Sequence, residues 1–364
     1  MTPRQLGGVS FWYADIGLPE RRRPALAGDQ TADVVIIGAG YTGLWTAYYL
    51  CKAQPGLSVL VLEKEFAGFG ASGRNGGWLT GGFAWNHDRY ARTHGPLAVR
   101  AMVDAMNGTV AEVLHVARHE QIDADILPTD ELMVATAPAQ LARLEAEVSH
   151  RRSWGEEGRV RSITAVEVAA RIAIPGVLGG MIVSGVARVQ PAKLARGLAL
   201  AAERAGARIH EGTEVLSYAP GEVRTPQGTV RAPVILRATE GFTATLPGHR
   251  RDWLPLNSAQ IVTEPLPPEV WDRIGWQGHE ILGDFANAYC YCQRTREGRI
   301  AVGGRGVPYR FGSAVDRSGV PDAETLRRLT AYLGQQLLFA LALAQPAGVV
   351  LARFHLGAQH VHGA

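Results

Sequence analysis

The sequence predicts an α/β protein, a Rossmann-like nucleotide-binding domain interleaved with a second, α+β domain that contains an antiparallel sheet. Three observations carry that expectation. VVIIGAGYTGLWTAYYL, Val34 to Leu50, runs a branched apolar strand through a glycine-rich turn into a helical pattern. SVLVL at Ser58 to Leu62 follows, completing a β-α-β unit of about 30 residues whose crossover should be right-handed. Beyond Pro247, LNSAQIVTEPL, YCYCQRT and GRIAVGGRG alternate apolar and polar residues, which suits antiparallel strands with one exposed face.

Residues 1–30 form a polar lead-in whose aromatic cluster, Phe11, Trp12 and Tyr13, is expected to pack on the body of the protein. Asp33 to Ile37 is nearly continuous in branched apolar residues, as a parallel strand buried on both faces requires. Thr42 to Ala53 is compatible with a helix, stopped by Gln54-Pro55-Gly56. A glycine-rich segment, Gly68 to Gly82, precedes a helical region from Pro96 to His119, a strand at ELMVATA, 131–137, and a charged helix from Pro138 to Arg152. Pro191 to Ala205 reads as a helix with Leu194, Leu198 and Ala202 on one face. ARIHEG, TEVLSYA, EVRTPQGTV and APVILRAT read as short strands, the third with a turn at Pro226-Gln227-Gly228. The expected division is a lead-in at 1–30, a discontinuous cofactor domain at 31–82 and 185–245, a substrate domain at 83–184 and 246–330, and a helix with an atypical end at 331–364.

Composition excludes several classes. At 364 residues, 46% hydrophobic and 20% charged, the chain is an ordinary globular protein able to bury a large core. A net charge of +3 gives no signal for nucleic acid or an anionic membrane. The 3 cysteines, Cys51, Cys290 and Cys292, fit neither a disulfide framework nor a zinc site and read as free thiols of a reducing compartment. The opening residues show no cationic segment followed by an apolar core, so no secretory signal is expected, and the apolar run LLFALALA is far too short to span a bilayer. The expected location is the cytoplasm, with no membrane span, no nucleic acid partner and no signal for an oligomeric state.

Gly38, Gly40 and Gly43 spell G-x-G-x-x-G between strand and helix. The first glycine permits the tight turn, the second lets backbone N–H groups approach a pyrophosphate, and the third lets the helix pack close to the sheet. The helix N-terminus adds unpaired donors and a positive dipole end. Glu63 stands about twenty residues further on, where a carboxylate accepts from both ribose hydroxyls and disfavours a 2'-phosphate. That selects NAD or FAD. GFGASGRNGGW, Gly68 to Trp78, then places small residues, a hydroxyl at Ser72 and the polar pair Arg74 and Asn75 where an NAD domain would continue into a helix.

With these residues the sequence resembles the D-amino-acid-oxidase-like (DAO) superfamily of FAD-dependent oxidoreductases, in the bacterial branch that includes gamma-glutamylputrescine oxidase. The resemblance rests on VVIIGAGYTGLWTAYYL, VLVLEKEFAGFGASGRNGGW, VQPAKLARGLALAAERAGARIHEGTEV, VILRATEGFTATLPG and GRIAVGGRGVPYRFGS. It implies an FAD-binding domain of the glutathione-reductase type and oxidation of the C–N bond of an amine or amino acid, with hydride passing to the flavin and the imine hydrolysing. Oxygen or another acceptor would reoxidise the flavin. It further implies that Gly38, Gly40 and Gly43 line the FAD pyrophosphate, that Glu63 holds the adenosine ribose and that Ser72 sits near the phosphates. Arg74, Asn75, Gly76 and Gly77 would approach the flavin, Val215 would present its backbone to the adenine, and Ala238 and Thr239 would close over the dinucleotide. Tyr291 is nominated to shape an apolar pocket over the flavin and Arg305 to hold a substrate carboxylate. No histidine immediately follows GRNGGW, and Cys290 and Cys292 match no known attachment point, so FAD is expected to be non-covalent.

The sequence departs from the family at its end. Members run on into a Trp- and Gly-containing stretch, a glycine turn and a closing helix, whereas this chain reads PAGVVLARFHLGAQHVHGA after Gln345. A truncated or altered C-terminus is therefore expected, and with it an alternative function as a catalytically silent FAD- or nucleotide-binding remnant. An NAD-dependent dehydrogenase is a third reading that leaves GFGASGRNGG unexplained. His355, His360 and His362 are read as a ragged terminus without metal.

Overall fold

The computed structural model describes residues 4–5, 9–20, 22–83, 86–305, 309, 311–314, 321–337 and 355–362, with the side chains of 4–5, 305 and 355–362 left aside. A four-stranded parallel sheet is built from Val234–Arg237, Val34–Ile37, Val59–Leu62 and Arg208–His210, in that order. Every residue of Val34–Ile37 and Val59–Leu62 is buried, as continuous branched runs demand. Tyr41–Ala53 and Pro191–Arg204 pack over one face, where Ile36, Leu44, Val61, Leu198 and Ala202 form a common core. On the other face a smaller sheet, Ser217–Ala219, Glu222–Thr225, Gly228–Arg231 and Gln30–Thr31, closes over Val35, Leu60 and Leu62.

The remaining strands belong to one large sheet. Among the described residues it has ten strands, running through 4–5, His355–His362, Pro255–Val262, Ile300–Arg305, Cys290–Arg294, Ile281–Asp284, Leu127–Ala135, Gly179–Arg188 and Trp78–Leu79, with Val160–Thr164 also paired to Gly179–Arg188. The sheet is mixed, because Ile281–Asp284 runs parallel to Leu127–Ala135. His355–His362 pairs antiparallel with Pro255–Val262, an element the sequence does not announce. The expected residues 338–354 of the C-terminal region lie outside the described residues.

One expectation is corrected. Among the described side chains, Pro255–Val262, Cys290–Arg294 and residues 300–304 present no exposed face: Ala259, Ile261, Cys292 and Val302 are buried beneath Pro268–Ile274 and Ala323–Tyr332, and the polar positions Ser258, Gln260 and Gln293 are buried too. The alternation is real, but its polar face is covered: Gln293 meets the glycine-rich segment at Gly76 O, and Ser258 bonds Gly304 O of the neighbouring strand. The aromatic lead-in does pack as expected, as the helix Phe11–Ile16, with Phe11, Trp12 and Tyr13 buried.

Where helix Pro191–Arg204 meets the large sheet, Asp125 ties them together. Its backbone is left-handed, φ 50°, and its carboxylate accepts from Lys193 Nζ and Arg296 Nη1, each at 2.7 Å. Its carbonyl accepts from buried Arg188 at 3.1 Å. Burial alone would raise the Asp125 carboxyl, but the two cations outweigh it and hold the group below its ordinary range. A depressed carboxyl stabilises the fold above its unfolded value and loses that contribution as pH falls through the folded one. Asp125→Asn keeps the shape and tolerates the same backbone. It is expected to cost about 1–2 kcal/mol at neutral pH, read by urea unfolding, with the difference from wild type vanishing in strong acid.

Candidate functional site

At the C-terminal ends of the parallel strands lies a cleft of about 510 Å³, the position where open α/β sheets bind ligands. Gly38, Gly40, Glu63, Ser72, Asn75, Val215, Ala238 and Thr239 line it. Residues dispersed over two hundred positions of sequence thus converge on one cavity.

Each is held for a legible reason. Gly38 has φ +104°, and a Cβ there would stand 2.5 Å from Ala238 O, so the turn and the neighbouring strand end admit only glycine. Gly43 does not line the cleft. A Cβ on it would lie 2.0 Å from Gly38 O, so its absence lets the helix start directly against the turn. Gly40 caps Tyr41–Ala53 with no side-chain hydrogen bond of its own. Ser72 Oγ instead accepts from Tyr41 N–H at 2.8 Å.

Glu63 follows the second strand and accepts from Ala39 N–H at 2.8 Å and Glu65 N–H at 2.9 Å. Burial, helped by the charges of Glu211 and Glu65, pushes its carboxyl up to about 7 against the lowering effect of those two N–H groups. Asn75 folds the loop back on itself, donating to Ser72 O at 2.9 Å and accepting from Gly77 N–H at 2.8 Å.

Arg74, Gly76 and Gly77 lie away from the cleft lining. Arg74 is buried, donates Nε–H to Phe69 O at 2.6 Å and stacks over the Phe69 ring at 4.2 Å. Gly76 sits against Tyr291, whose ring a Cβ would meet at 2.6 Å, and the same ring lies against Gly303. Ser258 Oγ donates to Gly304 O at 2.7 Å, which leaves the Tyr291 hydroxyl as donor in the 3.1 Å bond to Ser258. Burial raises the Tyr291 phenol far above its usual range, so it stays protonated. Arg305 ends its strand in register with Ser258, and its side chain lies outside the described residues.

Sequence reasoning missed the apolar wall of the cleft, Phe69, Phe242 and Leu246. Phe242 lies in the short 3-10 helix Glu240–Thr245 and Leu246 caps its end, an element too short for periodicity to mark. It also missed Gln293, buried two residues after Tyr291 on the same face; a glutamine following the run Cys290-Tyr291-Cys292 was the available signal.

The backbone cradle, the carboxylate at one end and the small-residue loop at the other suit a dinucleotide carrying an extended ring system. The model of the FAD dependent oxidoreductase (DAO) family matches residues 33–350. The chain belongs to that family. It is 30% identical over 299 residues to gamma-glutamylputrescine oxidoreductase of Escherichia coli (strain K12), covering 80% of this chain and 68% of that protein. It is 27% identical over 299 residues to glycine oxidase of Geobacillus kaustophilus (strain HTA426), covering 79% and 74% respectively. In structure it resembles L-proline dehydrogenase from P. horikoshii, TM-score 0.69 at 17% identity, with 92% of this chain and 83% of that one covered.

FAD is accordingly the cofactor of this DAO-family chain, and the NAD reading is set aside. Relatives that are named oxidoreductase and oxidase give the silent-remnant alternative no support. Among the described residues there is no group of three or more His, Cys, Asp or Glu able to hold a metal, and no helix long and apolar enough to cross a membrane.

Gly38→Ala tests the cradle. A methyl group forced against Ala238 O in left-handed backbone is expected to cost about 2–3 kcal/mol by urea unfolding and to abolish FAD-induced stabilisation in thermal melts.

Proposed function

We propose that this FAD-dependent oxidoreductase oxidises the C–N bond of a small amine or amino acid to an imine, which water hydrolyses to a carbonyl compound and ammonia or an amine. The observation that carries the reading is the packing of the glycine-rich loop, one end in the cofactor cleft, against the inner face of the large sheet through Tyr291. Substrate and cofactor would meet at that contact. The substrate preferences in the relatives' names support the class. When bound, FAD supplies the acceptor for the hydride equivalent and is restored by oxygen or another acceptor.

In this reading the backbone around Gly38, Gly40 and Gly43 holds the pyrophosphate at the helix N-terminus. Glu63 accepts from the ribose, Ser72 stands near the phosphates, and Val215 offers its backbone to the adenine. Ala238 and Thr239 close over the dinucleotide, and Arg74, Asn75, Gly76 and Gly77 shape the flavin end. Tyr291, kept protonated, walls the substrate space rather than acting as a base. Arg305 is the side chain for a substrate carboxylate.

Cys292 is packed with Leu282 and Val302 on the opposite side of the sheet from Tyr291, and burial pushes the Cys290 thiol up to about 12. Both facts support non-covalent FAD. Three free cysteines support a reducing, cytoplasmic setting. The parallel sheet with its cleft supports assigning 31–82 and 185–245 to cofactor binding and 83–184 and 246–330 to the substrate, with Gly179–Arg188 spanning the seam.

An absorption spectrum of purified protein with added FAD, before and after acid precipitation, tests the reading. Flavin bands on the protein, released into the supernatant, are expected; colourless protein that takes up no FAD would sink it. Affinity should also depend on pH. Burial holds the Glu63 carboxyl up to about 7, whereas a ribose donating to the carboxylate favours the ionised form, so binding expels a proton below that pH. The Kd for FAD is expected to be about tenfold weaker at pH 6 than at pH 8, by quenching of FAD fluorescence, and nearly flat in Glu63→Gln.

A further inference from the structure

We infer that Gln293 is a positioning residue that sets the orientation of the flavin-facing loop from the substrate side. The inference rests on the cofactor site proposed above and concerns a residue in none of the motifs that mark it. Gln293 is 1% exposed. It projects from Cys290–Arg294 on the face shared with Tyr291 and reaches across to the glycine-rich loop. Its Nε2 donates to Gly76 O at 2.6 Å and to Val189 O at 3.3 Å.

The N–H of the same peptide unit, on Gly77, donates to Asn75 Oδ1 at 2.8 Å. One peptide, Gly76–Gly77, is therefore clamped at both ends by side-chain amides, Asn75 from the loop itself and Gln293 from the large sheet. The next carbonyl, Gly77 O, accepts from Val189 N–H at 2.8 Å. Gly77 has φ +69°, and a Cβ there would fall 1.9 Å from Gln293 Nε2 and 2.2 Å from Val189 O. The space that a side chain would occupy is the space the glutamine amide uses.

A Gly-Gly peptide is the least self-determined unit a chain can contain, and its dipole needs an external constraint to hold one direction. Gln293 provides that constraint from the strand that also carries Tyr291. The wall of the substrate space and the orientation of the loop beside the flavin are thereby set by two residues on one strand. A fixed dipole beside a group that gains negative charge on reduction alters how readily it is reduced.

The test uses the whole 364-residue chain with FAD alone, so no substrate need be known. Gln293→Ala is expected to weaken the Kd for FAD about tenfold, the equivalent of one lost hydrogen bond, to shift the visible flavin band, and to move the midpoint potential in dithionite titration. Gln293→Glu is isosteric. Its protonated form can donate to Gly76 O, and its ionised form faces two carbonyls. At saturating FAD its spectrum should approach wild type at low pH and depart from it at high pH, a titration absent from wild type and from Gln293→Ala.

Spectra and potentials of both variants superimposable on wild type overturn the inference alone. Wild-type protein that takes up no FAD overturns the cofactor site as well. Loss of fold in both variants by far-UV circular dichroism would assign Gln293 to folding and overturn it too.

Discussion

The fold depends on a crossing of three backbones too close to admit a side chain. Strand Val34–Ile37 turns into helix Tyr41–Ala53 at Gly38, the helix returns at Gly43 to within contact of the Gly38 carbonyl, and the end of Val234–Arg237 closes the other side at Ala238. Were any of the three wider, the helix N-terminus would tilt away from the strand ends and the cleft would lose its floor. Hydrophobic burial supplies most of the favourable free energy of such a sheet, but it is non-directional. The crossing decides where the apolar faces meet.

From that crossing the rest follows by contact. The helix that starts there packs on Pro191–Arg204, whose own first turn is capped by Gln190. Gln190 also donates to Trp12 O at 3.0 Å and Asp15 at 3.2 Å, which fastens the N-terminal helix. Lys193 on the same helix pairs with Asp125 and so reaches Arg296 of the large sheet. Cofactor cleft and sheet are joined by a short series of polar contacts as well as by apolar area.

Local pattern made the cofactor half readable. The branched runs at Val34 and Val59, the three glycines and Glu63 all declare themselves within some thirty residues, because a buried parallel strand and a tight turn each restrict residue type directly. The long-range half was less visible. Gly179–Arg188 carries three glycines, which resembles a loop in sequence, and its strand character comes from neighbours on both sides. Ile281–Asp284 is four residues long, too few for a period to register. Ser258, Gln260 and Gln293 read as a wet face because polarity in sequence does not distinguish water from a neighbouring backbone. Arg74 is buried and its guanidinium stacks on Phe69, a contact that no spacing in the sequence marks.

Ser72 has a consequence for how the molecule opens. Its hydroxyl, not a residue preceding the helix, receives the N–H of Tyr41, while Ser10 donates to Gly73 O at 3.1 Å and Trp12 Nε1 donates to Asn75 O at 2.8 Å. The first turn of the helix, the glycine-rich loop and the N-terminal aromatic helix therefore share their caps, and none can fray alone. In native-state hydrogen exchange, the amides of Tyr41, Gly73 and Tyr13 should belong to one cooperative unit, so that segments far apart in sequence open with a single free energy.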